Sequence, residues 1–207
     1  MQPNAALEAA ELIAERPDER LDTTRLEPYL RTNLPGVEGA LPKGKMAVAQ
    51  FHGGKANLTY RLRFGPEASG PEYVLRRPPL GPIPPGAHDM RREHRVLSVL
   101  HRRFPLAPQS LLLCEDERVI GAVFIIEERR RGFVIRDDIP GDFAGRPELN
   151  RRIGFALIDA LADLHLVDPA CNVRRKYPVC DGPGSTPAAS PAPIRRLHVA
   201  ILWFEWQ

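Results

Sequence analysis

Between Lys45 and Arg77 the sequence alternates with a period of two in three successive runs, with glycine between them, and this limits the available folds more than any other feature. Met46, Val48 and Gln50 alternate with Ala47, Ala49 and Phe51. Leu58, Tyr60, Leu62 and Phe64 alternate with Thr59, Arg61 and Arg63, and Tyr73-Val74-Leu75-Arg76-Arg77 forms the third run. Successive side chains of a strand point to opposite faces, so each run predicts one face toward a core and one away from it. The connections, His52-Gly53-Gly54-Lys55 and Gly65-Pro66 to Gly70-Pro71, are turn sequences too short for a crossover. Three strands joined this way form an antiparallel meander.

The period then changes. After the proline-rich stretch Leu80 to Gly86, the segment Ala87 to Arg103 reads as a helix with Met90, Glu93, Leu97 and Leu100 on one stripe, widened by Val96 and Val99. Leu111 to Cys114 and Val119 to Ile126 read as two more strands around the acidic turn Glu115-Asp116-Glu117. Residues 128–147 are charged and irregular, and Leu149 to Leu164 reads as a second long helix. At the N-terminus, Ala5 to Glu15 is rich in Ala, Leu and Glu and predicts a helix, and Pro28, Pro35 and Pro42 predict loop after it. Residues 171–207 are rich in Pro, Ala, Arg and Ser without periodicity, and end in an apolar stretch with both Trp.

Composition removes several classes. A formal net charge of +3, with acids interleaved among the Arg clusters, argues against a nucleic-acid partner. Three Cys without a CxxC pair suggest neither a disulfide framework nor a zinc ribbon. No apolar run approaches the ~20 residues of a membrane span, and no signal peptide is visible. The expectation is a soluble, cytoplasmic chain with no membrane partner.

The order strand, glycine turn, strand, strand, helix, strand, strand, linker, helix is that of the smaller lobe of protein-kinase-like folds followed by the first helices of the larger lobe. The expected class is α+β, with an antiparallel sheet plus one helix in the small lobe. The expected spans are 1–44 for an N-terminal helix and connector, 45–128 for the small lobe, 129–170 for the hinge and first large-lobe helices, and 171–207 for an off-pattern tail. Four places carry matching chemistry. The His52-Gly53-Gly54 turn with Asn57 suits a backbone that approaches phosphates, although Gly-Gly also makes plain hairpins. Arg76 on the third strand is a cation of the kind kinase-like sites use at phosphates, or an arginine reaching to water. Glu93 lies on the apolar stripe of its helix, where an acid is either paired, with Arg76 the natural partner, or wet at the edge of the stripe. The run Val123 to Glu128 is an apolar strand entering a charged linker, in the place of an adenine-binding hinge.

The segments Gln50–Tyr60, Tyr73–Pro79 and His88–Leu97 resemble the aminoglycoside phosphotransferase family, and within it the branch that also occurs beside acyl-CoA dehydrogenase domains. Leu113–Asp116, Ile120–Ala122, Leu161–His165 and Val167–Pro169 extend the likeness, which covers about residues 25–170. The resemblance implies ATP and Mg2+ as cofactors and a small-molecule hydroxyl as phosphate acceptor. It places His52, Gly53, Gly54 and Asn57 over the phosphates, Arg76 at the strand cation, Glu93 at its helix partner, and Glu127, Glu128 and Arg129 at the adenine hinge. Members often carry Met where Glu127 stands, so an acid there is expected to alter how the adenine pocket closes.

The resemblance also implies a His-Gly-Asp loop with an Asn five residues after the Asp, and a later metal-binding Asp. No His-Gly-Asp occurs in the 207 residues. His88-Asp89 precedes the helix of Glu93 and lies in the wrong lobe. His165 and Asp168 with Asn172 have the wrong spacing. The expectation is a chain with its catalytic loop missing, C-terminally truncated or frameshifted after Cys171, with no catalytic or metal-ligating residue assigned. Two functions stay open: a phosphotransferase by descent, and a non-catalytic nucleotide- or partner-binding module, with self-association invited by an exposed lobe face.

Overall fold

The computed structural model of the protein describes residues 11–36, 41–52, 56–65, 70–132, 135 and 145–168. The chain divides into two compact units after residue 133.

The first unit is built on a six-stranded antiparallel sheet. Its strands are β1 (Leu12–Ile13), β2 (Met46–Phe51), β3 (Leu58–Phe64), β4 (Glu72–Arg77), β5 (Ser110–Cys114) and β6 (Phe124–Glu128), in the spatial order β1-β2-β3-β4-β6-β5. The meander β2-β3-β4 follows the sequence alternation strand for strand. Register fixes the two faces. Val48 lies opposite Leu62, Tyr60 opposite Leu75, and Leu75 opposite Ile126, so the apolar members of four strands share one face.

That face is closed by a helix the sequence reading did not find. Helix α1 (Thr23–Asn33) is capped by Asp22, whose carboxylate accepts from the Thr24 backbone N–H. Leu26 and Leu30 on it, and Leu34 just after it, join Tyr60, Leu62, Phe64, Leu75, Phe124 and Ile126 in one core. Tyr29 meets Phe124 edge to face, with ring centroids 6.1 Å apart. Pro28 lies inside α1. It removes one helical hydrogen bond, at a cost of about 3 kcal/mol in a helix interior. Burial of three leucines offsets that loss, so the proline did not end the helix as expected. The N-terminal helix expected over Ala5 to Glu15 is also corrected where that span is described: Leu12 and Ile13 extend the sheet by pairing with Phe51 and Gln50.

Two boundaries move as well. The strand expected from Val119 begins only at Phe124. Residues 116–121 form a turn, with Val119 N–H donating to Asp116 O and Gly121 taking φ 77°. Val119 and Ile120 owe their apolar character to burial from that turn rather than to a strand. Helix α2 (Met90–Leu100) occupies the middle of the expected 87–103 span, and Asp89 caps it by accepting from the Arg91 and Arg92 N–H groups.

The second unit contributes helix α3 (Pro147–His165), which matches the expected long helix and starts with proline in its first turn. Phe155, Leu157, Ile158, Leu161 and Leu164 on it are exposed. Among the described residues no helix is long and apolar enough to cross a membrane.

The α1–sheet contact is expected to dominate stability. Leu30→Ala should lower the unfolding free energy by about 2–5 kcal/mol, while the exposed Thr32→Ala stays within about 0.5 kcal/mol, as read by urea denaturation.

Candidate functional site

The face of the sheet opposite the core carries Thr59, Arg61 and Arg63 of β3, Glu72, Val74 and Arg76 of β4, and Glu127 of β6. The register sets Arg61 opposite Val74, Arg63 opposite Glu72, and Glu127 opposite Val74. This is a polar face on a buried scaffold, and α2 packs against the β5–β6 side of it. His94 on α2 is bonded through Nδ1 to Ser110 Oγ of β5 at 2.9 Å.

Glu93 sits one turn into α2 and turns toward the sheet. Its Oε1 lies 2.6 Å from Arg76 Nε, and both side chains are largely buried, with 17% and 12% of their surface exposed. Of the two readings of Glu93, the structure selects the paired one. Burial pushes the Glu93 carboxyl above the usual glutamate value, and Arg76, Arg92 and His88 pull it partly back. The first turn of α2 also places the acid at the positive end of the helix dipole. Asn57, at the end of the glycine turn, donates from Nδ2 to Glu93 Oε2 at 3.4 Å. The other end of that amide, Oδ1, lies 2.9 Å from His88 Nδ1.

Glu127 completes this group. It is diagonal to Arg76 across the β4–β6 ladder, since Arg76 faces Ile125 and Val74 faces Glu127. It is 1% exposed and its Oε1 has no hydrogen-bond partner. Burial raises its carboxyl to about 8, with Arg76 opposing and Glu93 adding to the rise. One guanidinium faces two acids here, so Glu127 keeps its proton at neutral pH.

The remaining expected site residues are placed differently. His52 is drawn to the β1 side, where its N–H donates to Glu11 O and its ring approaches the Glu11 carboxylate at 3.8 Å. Glu128 is tied to β5: its N–H donates to Gln109 O, and its carboxylate accepts from Gln109 N–H. Arg129 lies with its guanidinium over the Phe51 ring, 5.0 Å from the centroid. Phe51 is on β2 and Arg129 follows β6, so the contact joins two segments that have β3 and β4 between them in the sheet. Gly53 and Gly54 lie outside the described residues. His165 is the last residue of α3 and is exposed, as is Asp168, and Asn172 lies outside the described residues.

Sequence reasoning missed two features. Arg61, Arg63 and Arg131 converge on Glu72 at 3.6, 3.8 and 3.4 Å. Strict alternation of Arg61 and Arg63 with the core residues was the available signal. His88 was set aside because of its lobe, and the structure joins it to Asn57.

A sequence model of the phosphotransferase enzyme family matches residues 47–203. The chain belongs to that family. The match runs past residue 171, where the sequence reading expected likeness to stop. A solved structure from Ralstonia eutropha, assigned as an aminoglycoside phosphotransferase, superposes with a TM-score of 0.53 at 33% identity, covering 72% of this chain and 39% of that one. Acyl-CoA dehydrogenase family member 11 of Homo sapiens is 36% identical over 167 residues, 80% of this chain and 20% of that protein. Acyl-CoA dehydrogenase family member 10 of Mus musculus is 33% identical over 144 residues, 69% of this chain and 12% of that protein. The chain thus spans about a fifth or less of the length of the curated relatives it matches. This phosphotransferase-family chain has the kinase-like α+β fold of its structural neighbour.

The buried acid gives a pH signature. Glu127 binds its proton more tightly folded than unfolded, so the stability it contributes is full below about pH 4.5 and is lost as pH rises to about 8. Urea denaturation from pH 5 to 8.5 should show the native chain losing on the order of a few kcal/mol that Glu127→Gln does not lose. Parallel pH profiles for the two proteins would contradict the placement of a protonated carboxyl beside Arg76.

Proposed function

We propose that the polar face of the small unit binds ATP, and that the activity behind it is transfer of the γ-phosphoryl group to a small-molecule hydroxyl. The observation that supports this reading is the Arg76–Glu93 pair, held between a strand and a helix beside the end of the glycine turn. Phosphoryl transfer asks the protein mainly for positioning and for cationic charge at the phosphates. A guanidinium offers a rigid fork of donors suited to phosphate oxygens, and an ion pair to an adjacent helix fixes where that fork stands. In this reading the chain from Glu127 to Arg129 borders the base, and Arg129 moves off Phe51 or stacks with the base as nucleotide enters.

Magnesium, when bound, would supply positive charge to neutralise the phosphates. Among the described residues no three His, Cys, Asp or Glu side chains come together as a metal site. The described residues do not by themselves fit the metal. The sequence holds no His-Gly-Asp to orient an acceptor hydroxyl. That favours a second reading for this chain on its own, a nucleotide-binding module that turns over weakly or not at all.

Calorimetry with ATP tests the reading. Binding should be measurable at millimolar ATP or below, and Arg76→Ala or Glu93→Ala should weaken it about tenfold or more, as expected for loss of a charge-assisted contact. No binding at millimolar ATP removes the proposal. Coupled detection of ADP release with hydroxyl substrates separates the two readings: sustained turnover supports a working phosphotransferase, and its absence alongside ATP binding supports the module.

A further inference from the structure

We propose that His88 is a positioning residue for the nucleotide cluster: its ring holds Asn57 so that the Asn57 amide faces Glu93, and through Glu93 it sets where the Arg76 guanidinium stands. This rests on the nucleotide reading of that cluster. The chain of contacts runs His88 Nδ1 to Asn57 Oδ1 at 2.9 Å, Asn57 Nδ2 to Glu93 Oε2 at 3.4 Å, and Glu93 Oε1 to Arg76 Nε at 2.6 Å. The four residues come from four separate segments: the turn before α2, the end of the glycine turn, α2 and β4.

The carboxylate decides the direction of every hydrogen bond in the chain. Glu93 accepts, so the Asn57 end nearest it is the NH2 group. The Asn57 oxygen therefore faces His88, and an amide oxygen only accepts. His88 must donate, which fixes the ring proton on Nδ1. A flipped amide would set its oxygen against the Glu93 carboxylate and is disfavoured for that reason.

The backbone shows that the placement is imposed by the fold. His88 has φ 53°, and it is the one non-glycine residue with positive φ among those described. A side chain there is uncommon, although His, Asn and Asp tolerate it best. The next residue is Asp89, the N-cap of α2. The left-handed turn at His88 thus sets the start of α2 and aims the ring at Asn57 in one step, and Glu93 follows four residues after the cap.

Three substitutions separate this role from a purely structural one. His88→Gly relaxes the backbone but deletes the donor. His88→Asn keeps both, because the Asn amide nitrogen takes the place of Nδ1. His88→Gly should weaken ATP binding about tenfold, His88→Asn should stay within about twofold of the native chain, and the pair His88→Gly/Asn57→Ala should bind no more weakly than Asn57→Ala alone. The ring is also read without nucleotide: 15N NMR of the free protein with the ring neutral should show the Nδ1–H form, and Asn57→Ala should shift those signals. An Nε2–H ring, signals indifferent to Asn57→Ala, full ATP affinity in His88→Gly, or no rescue by His88→Asn would each overturn the proposal. A native chain that binds no ATP removes the nucleotide reading, and the NMR measurement still decides whether His88 holds Asn57.

Discussion

Neither Arg76 nor Glu93 is tolerable where it lies without the other. Each ion gives up most of its hydration between β4 and α2, a loss of several kcal/mol per charge that only close pairing and further hydrogen bonds repay. The pair therefore fixes the distance and rotation of α2 against the sheet more tightly than apolar contact alone would. Met90 is the one deeply buried residue of α2. The helix is held at its first turn by charge, by the Asp89 cap and by the Asn57–His88 contacts.

The rest of the small unit follows from a sheet whose two faces carry opposite chemistry. One face is sealed by α1 with leucine and aromatic side chains. The other collects arginine and glutamate from β3, β4 and β6, joined by Glu93 of α2 and Arg131 after β6, in two groups: Arg76 with Glu93 and Glu127, and Arg61, Arg63 and Arg131 around Glu72. A stable face of this kind is costly to keep unless it meets a charged ligand, and in the reading proposed above that ligand is a nucleotide. The excess acid in the first group is neutralised by a proton on Glu127, and the excess base in the second is partly exposed to water at Arg131.

Much of this was legible in the sequence because period two is a direct record of facing. The alternation in Met46–Phe51, Leu58–Phe64 and Tyr73–Arg77 placed Arg76 on the polar face, and the position of Glu93 on its helix stripe named the partner. What was illegible had local cause. Helix α1 hid behind Pro28, since its stability comes from burial of Leu26 and Leu30 against a sheet that begins later in the chain. Leu12 and Ile13 look helical by neighbourhood but are recruited by the free edge of β2. Val119 and Ile120 look like strand because they are buried, yet Gly121 turns the backbone there. His88 gave no periodic signal, because its role depends on a backbone angle and on an amide remote in sequence.

In the reading proposed above the polar face, and not the leucine-rich face or the scattered arginine runs, meets nucleotide. The most direct measurement is a 15N NMR titration of the chain with ATP, following backbone and arginine side-chain signals together. Shifts are expected to concentrate at Asn57, Thr59, Val74, Arg76, Glu93 and Glu127 to Arg129, with the signals of α1 unmoved. Shifts confined to Arg151 and Arg152 of α3, spread evenly over the basic residues, or absent at millimolar ATP would contradict it.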